Sequence, residues 1–152
     1  MKVKFECTCD ICKAACVNKP GWFLPGETEK AAKHLKLSMK KFFNQYLGVD
    51  WWVGSNPIFV LAPAIVGASA GSEYPGDPRG QCVFFTKGLC GIHPVKPFEC
   101  AQMVCNERED GSDTRHESVA MKWVDHQAQI VKLLGREPEE TPFYGSLWGV
   151  WN

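Results

Sequence analysis

Residues Cys82–Cys105 read CVFFTKGLCGIHPVKPFECAQMVC, which sets cysteines at 82, 90, 100 and 105 around a β-prone start and a turn-rich middle. The first group in chain order stands far upstream, where Cys7–Cys16 reads CTCDICKAAC, with cysteines at 7, 9, 12 and 16. The first group spans ten residues and the second 24, and the 65 residues between them contain no cysteine. Cysteines used as small core hydrophobes would scatter through the chain as Val and Ala do here. The two-cluster pattern predicts an α+β fold: a small, mostly helical domain with few short strands and long loops, organised around a cysteine-ligated metal centre.

The chain has 152 residues, enough for one domain that buries its own core without a metal to hold it together. Hydrophobic residues make up 45% and charged residues 22%, which excludes global disorder. Lys and Arg number 17, as do Asp and Glu, and a balanced charge argues against a nucleic-acid binder. The balance is uneven along the chain: residues 1–50 carry 9 basic and 5 acidic side chains, and residues 107–152 carry 5 basic and 9 acidic. Two solvated faces that attract each other weakly account for this. Met1–Asp10 has no apolar h-region, and the longest apolar run, Ile58–Ala70, is too short to span a bilayer. The expectation is a cytoplasmic protein with no membrane contact, in a compartment that keeps thiols reduced.

Helices are predicted at Glu27–Leu35, with acids at its positive end, and at Met39–Tyr46, capped by Ser38 and closed by Gly48. Asp50–Val53, Ile58–Leu61 and Cys82–Thr86 read as strands. Gly67–Gly80 reads as one long loop. A short helix is expected at Pro97–Cys105. Asp113–Leu134 reads as one helix, with Ala120, Trp123, Val124, Gln127, Ile130, Val131 and Leu134 in a single stripe and Gly135 at its end. The tail Glu137–Asn152 carries Phe143, Tyr144, Trp148 and Trp151.

Cys9-x2-Cys12-x3-Cys16 lets one loop turn several sulfurs toward one centre. Zinc takes four ligands in a tetrahedron, often as two close pairs. An iron–sulfur cube takes one thiolate per iron and commonly uses a close run plus a remote cysteine. Three clustered sulfurs fit the second habit better. Disulfides suit a secreted chain, and a thioredoxin-like pair at Cys9/Cys12 lacks the surrounding helix–strand pattern.

The pattern resembles the YkgJ-type cysteine-cluster family, a zinc- or iron-chelating domain. Cys9, Cys12 and Cys16 match the first, second and last cysteines of its C-x-x-C-x-x-C-C run, and Ala15 stands where the third is expected. Cys82-Val83-Phe84-Phe85 and Cys90-Gly91-Ile92-His93-Pro94-Val95-Lys96-Pro97-Phe98-Glu99-Cys100 resemble its second half, with Cys105 completing the set. The resemblance covers about residues 5–106 and leaves 107–152 as a C-terminal helix and tail. It implies metal ligands at Cys9, Cys12, Cys16, Cys82, Cys90, Cys100 and Cys105. Cys7 either replaces the thiolate missing at Ala15 or is not a ligand.

Around these thiols, His93 reads as a turn residue, a metal ligand or a donor to a cysteine sulfur that tunes the centre, and Lys96 as a cation that offsets thiolate charge. His34, His116 and His126 read as surface residues. Glu99 and Asp10 offer oxygen, which soft metals leave for sulfur. No phosphate loop, Ser/His/Asp set or paired carboxylates nominate a catalytic group. The leading expectation is a [4Fe–4S] centre, or two, serving electron transfer or cluster carriage with a redox or metal-delivery protein partner. A zinc module is the alternative, and a small metalloenzyme with an open coordination position is the third reading.

Overall fold

The helices begin where the capping residues stand. The computed structural model describes residues 21–53, 57–68, 70–74, 80–86, 89–92, 95 and 112–139. The expected helix at Pro97–Cys105 and the aromatic tail beyond 139 lie outside the described residues. Helix α1 is Glu27–His34, entered through Gly26 at φ 92, and the Glu27 carboxylate accepts the Leu24 amide at 2.7 Å. Helix α2 is Met39–Tyr46, and the Ser38 hydroxyl accepts the Lys41 amide at 3.2 Å, as an N-cap should. Between them the Leu37 amide reaches back to the Ala32 carbonyl at 2.9 Å, which places Lys36 at φ 62. This is the left-handed position where helices usually put glycine, and a side chain there costs about 1 kcal/mol.

Helix α2 hands over directly to strand β1, Leu47–Trp52, which pairs antiparallel with β2, Ile58–Pro63, in a register running from Leu47↔Pro63 to Trp52↔Ile58. Strand β3, Ser72–Glu73, joins parallel to β1, giving the order β2-β1-β3. Two expectations change here. Gly67–Gly80 is not loop throughout, since it contains β3. Gly48 does not close α2 but sits inside β1, where the Tyr74 ring crosses it: a Cβ at 48 would lie 2.6 Å from Tyr74 Cε1. The ring thereby reaches the Pro63 carbonyl, to which the Tyr74 hydroxyl donates at 2.6 Å.

The outer edge of β2 is covered by side chains and loop. The Leu61 carbonyl accepts the Phe23 amide at 3.0 Å. The Gln127 carboxamide accepts the Phe59 amide at 3.1 Å and donates to the Phe59 carbonyl at 2.9 Å, standing in for a strand residue. The Trp123 indole donates to the Phe23 carbonyl at 2.8 Å. Trp123 and Gln127 belong to the C-terminal helical segment: α3, Ser112–Lys122, a 3-10 turn at Val124–His126 entered through Trp123, and α4, Gln127–Leu134. The single helix expected over Asp113–Leu134 is therefore broken at Trp123. The Trp123 carbonyl is taken by the His126 amide and the Gln127 side chain, both at 2.8 Å. The tighter turn shifts the phase of the stripe. Ala120, Trp123 and Ile130 are buried as expected, Val119 and Leu133 join them, and Val124 is 45% exposed.

The core lies between the helices and the sheet, with Phe42, Phe43, Leu47, Val49, Val60, Leu61, Trp123 and Ile130 all at 0% exposure. Burying each such large side chain contributes about 1.5–3 kcal/mol. Among the described residues no helix is long and apolar enough to cross a membrane. Gly135 at φ 81 ends α4, and the Lys40 ammonium donates to the Leu133 carbonyl there. Arg136 then turns back and grips Glu73 through both guanidinium nitrogens at 2.6 and 2.5 Å, while Glu73 also accepts the Glu139 amide at 3.0 Å.

Gly48→Ala should lower stability by about 1–3 kcal/mol through overpacking against Tyr74. It should appear in urea unfolding as a lower midpoint with an unchanged slope. The Arg136 guanidinium holds Glu73 down from 4.5 to about 2. In that interval the unfolded chain binds more protons than the folded one. Stability is therefore expected to fall as pH drops from 4.5 toward 2. Glu73→Gln should flatten that part of the curve, measured by thermal unfolding at a series of pH values.

Candidate functional site

The second cysteine group starts where the chain leaves β2. Residues 64–66 run antiparallel to 81–83: Val66 N–H donates to the Gln81 carbonyl at 2.8 Å, Val83 N–H to the Ala64 carbonyl at 2.9 Å, and Ile65 bridges Cys82. Cys82 is thus fixed beside the main sheet and is 6% exposed. A turn follows, closed by the Phe85 amide on the Cys82 carbonyl at 3.0 Å. Inside it the Phe84 amide donates to Cys82 Sγ at 3.4 Å. A backbone donor to sulfur is the kind of contact that tunes a metal-bound cysteine.

Strands β4, Phe85–Thr86, and β5, Leu89–Cys90, form a small antiparallel hairpin with Phe85 opposite Cys90. The sequence predicts one strand over Cys82–Thr86. The structure shows a bridge at Cys82, a turn, and only two paired residues. The turn that aims Phe84 N–H at the sulfur is incompatible with an extended chain at 83–84. It keeps the Cα atoms of 82 and 85 within about 7 Å. Cross-strand pairing places 85 and 90 about 5 Å apart. The Cα atoms of Cys82 and Cys90 are therefore no more than about 12 Å from each other.

Phe84 ties this hairpin to the core. Its carbonyl accepts the Gly91 amide at 2.7 Å, next to Cys90. Its ring stacks on Tyr46 at 5.2 Å and on Phe42 at 6.2 Å between centroids, both on α2. Ile92, two residues after Cys90, is buried in the core at 1% exposure. The cysteine backbone is thus held from one side by the sheet extension and from the other by aromatic packing on α2.

Of the expected ligands, Cys82 stands one turn before the hairpin whose second strand contains Cys90. Cys7, Cys9, Cys12, Cys16, Cys100 and Cys105 lie outside the described residues, as do His93, Lys96, Asp10 and Glu99. Among the described residues no group of three or more His, Cys, Asp or Glu side chains is placed to hold a metal ion. His34 and His126 are exposed, as the sequence predicts.

Sequence reasoning missed Asp50. It is 3% exposed, its Oδ2 accepts the Trp22 indole N–H at 2.8 Å, and its Oδ1 accepts the Trp51 amide at 2.8 Å. The Leu47 and Val49 carbonyls on the same edge of β1 accept from Gly71 and Tyr74. Among the described residues no strand continues along that edge past Tyr74, and the carboxylate takes the next amide. A charged residue inside LGVDWWV, with two Trp following it, was the available signal. The Trp22 and Trp52 rings meet edge to face at 6.4 Å beside it.

Compared with protein-family models, curated proteins and solved structures, the chain matches none of them.

Phe84→Ala removes both ring stacks and should cost about 3–5 kcal/mol. Phe84→Tyr should lose much less. In the Ala variant, hydrogen exchange at the Val83 and Gly91 amides should accelerate more than at the Val49 and Val60 amides of the central strands. Uniform acceleration across all four would mean that the hairpin and core open together.

Proposed function

We propose that this chain holds an iron–sulfur centre through cysteine thiolates, a [4Fe–4S] cube serving one-electron transfer or cluster carriage to a protein partner. The ligands are drawn from Cys9, Cys12, Cys16, Cys82, Cys90, Cys100 and Cys105. Cys7 is the eighth thiol, which brings the set to the number two four-ligand centres require. The observation that carries the reading is Cys82: buried, paired to the sheet extension, with a backbone amide directed at its sulfur, and one turn before the hairpin that contains Cys90. A buried soft sulfur, in the same core cluster as Phe84 and Ile92, suits a soft metal kept from water. The resemblance to cysteine-cluster chelating domains supports the same ligand set. When bound, the cluster supplies a one-electron couple; the protein supplies the thiolates, the amide donor and the apolar wall.

The test is anaerobic purification with iron, sulfide and zinc analysis, followed by EPR after chemical reduction. The expected protein is brown, contains iron and sulfide in comparable amounts, and gives a signal on reduction. Cys82→Ser and Cys90→Ser should each lower the iron content. Unchanged iron in Cys7→Ser would remove Cys7 from the ligand set. A colourless protein carrying zinc alone would replace the iron reading with the zinc one.

A further inference from the structure

We infer that the junction of α1 and α2 is a docking surface for an acidic protein. Residues 30–49 contain five lysines, Lys30, Lys33, Lys36, Lys40 and Lys41, with no Asp, Glu or Arg among them. All five are exposed, and four fall within the nine residues Lys33–Lys41, KHLKLSMKK, which also include exposed His34. The fold concentrates this charge. Helix α1 ends at His34 and α2 starts at Met39, so the four lysines crowd one turn of chain. Leu35, Leu37 and Met39 between them pack against the core and leave the ammonium groups outward.

Among the described residues no acidic side chain at the junction neutralises the charge. The two acids of α1 sit at its opposite end and have local partners: Glu27 accepts the Leu24 amide, and Glu29 accepts Thr28 and Gln129. Among the described residues none of the five lysines is in a salt bridge. Lys40 donates to the Leu133 carbonyl, which fixes its position and leaves its charge intact. The backbone adds an independent sign. Lys36 occupies a left-handed conformation at φ 62, where glycine would be unstrained. A lysine kept at a strained site points to a use for its charge rather than its conformation.

The chemistry selects the partner. A cluster made only of lysines presents hydrated point charges, which suit carboxylates met in fast, salt-sensitive encounters. Phosphate-rich partners favour the bidentate fork of arginine, absent here. A membrane surface calls for large apolar side chains beside the cations, and the exposed large hydrophobics Val53, Val66, Met121 and Val124 all lie elsewhere in the sequence. Helix α2 carries the junction at one end and Tyr46, stacked on Phe84 beside Cys82, at the other, about 10 Å along its axis. A partner docked here is thus delivered to the cysteine hairpin. That last step rests on the metal reading; the docking itself does not.

The experiment titrates the full chain with a fluorescent peptide rich in Glu and Asp. Single-stranded DNA of equal charge and phosphatidylserine vesicles serve as comparison probes. Saturable peptide binding is expected, weakening about tenfold between low and physiological salt. Lys33→Glu with Lys41→Glu should weaken it about tenfold or more. Lys36→Gly should keep or raise the melting temperature yet weaken binding about threefold, which separates charge from folding. No peptide binding, tighter binding to DNA or vesicles, or indifference to the lysine variants would overturn the proposal. Salt-sensitive self-association in sedimentation would overturn it too, by assigning the surface to a second copy and its acidic C-terminal third. Iron and colour, read on the same samples, report on the metal centre separately.

Discussion

The structure depends on satisfying the backbone of one buried strand pair. Strands β1 and β2 run side by side through the core, and their outward-facing amides and carbonyls cannot reach water. Among the described residues, two residues of β3 continue the sheet on one side, and no strand flanks β2 on the other. Side chains fill the gaps. Gln127 pairs with both groups of Phe59, Phe23 and Trp123 continue that line, and Asp50 takes the amide that β3 leaves behind. Each is a directional bond from a different part of the chain. The α+β arrangement is therefore fixed by polar satisfaction as much as by apolar burial.

The same logic places the cysteine hairpin. The chain leaving β2 retains unpaired edge groups at Ala64 and Val66, and the segment around Cys82 pairs with them. Cys82 is buried because it continues an edge, and the turn behind it follows once Phe84 stacks on α2. A sulfur held this way has little freedom to move. A metal bound by it would find at least this ligand and its amide donor already in position, which reduces the ordering needed on binding.

Charge is organised separately from the core. Glu73 and Arg136 lock the exit of α4 to β3, whereas the lysines at the α1–α2 junction have no counter-ions among the described residues. One arrangement serves the fold; the other leaves positive charge directed at solvent, with Lys36 held in a backbone conformation that suits glycine better.

The sequence by itself determined the local decisions. Ser38 began α2 because its hydroxyl can bond an amide three residues on, Gly135 closed α4 because it accepts positive φ, and Ile58 onward was β-prone wherever it landed. It also determined that cysteines come in two groups, which nominated the ligands before any fold was known. Only the tertiary structure decided the role of Gly48, which looks like a helix stop but makes room for Tyr74, and of Gln127, which belongs to a helical stripe but completes a sheet. The break at Trp123, the burial of Asp50 and the turn within Cys82–Thr86 belong to the same class. Periodicity and propensity report what a segment prefers alone, whereas these features answer to partners 11 to 100 residues away.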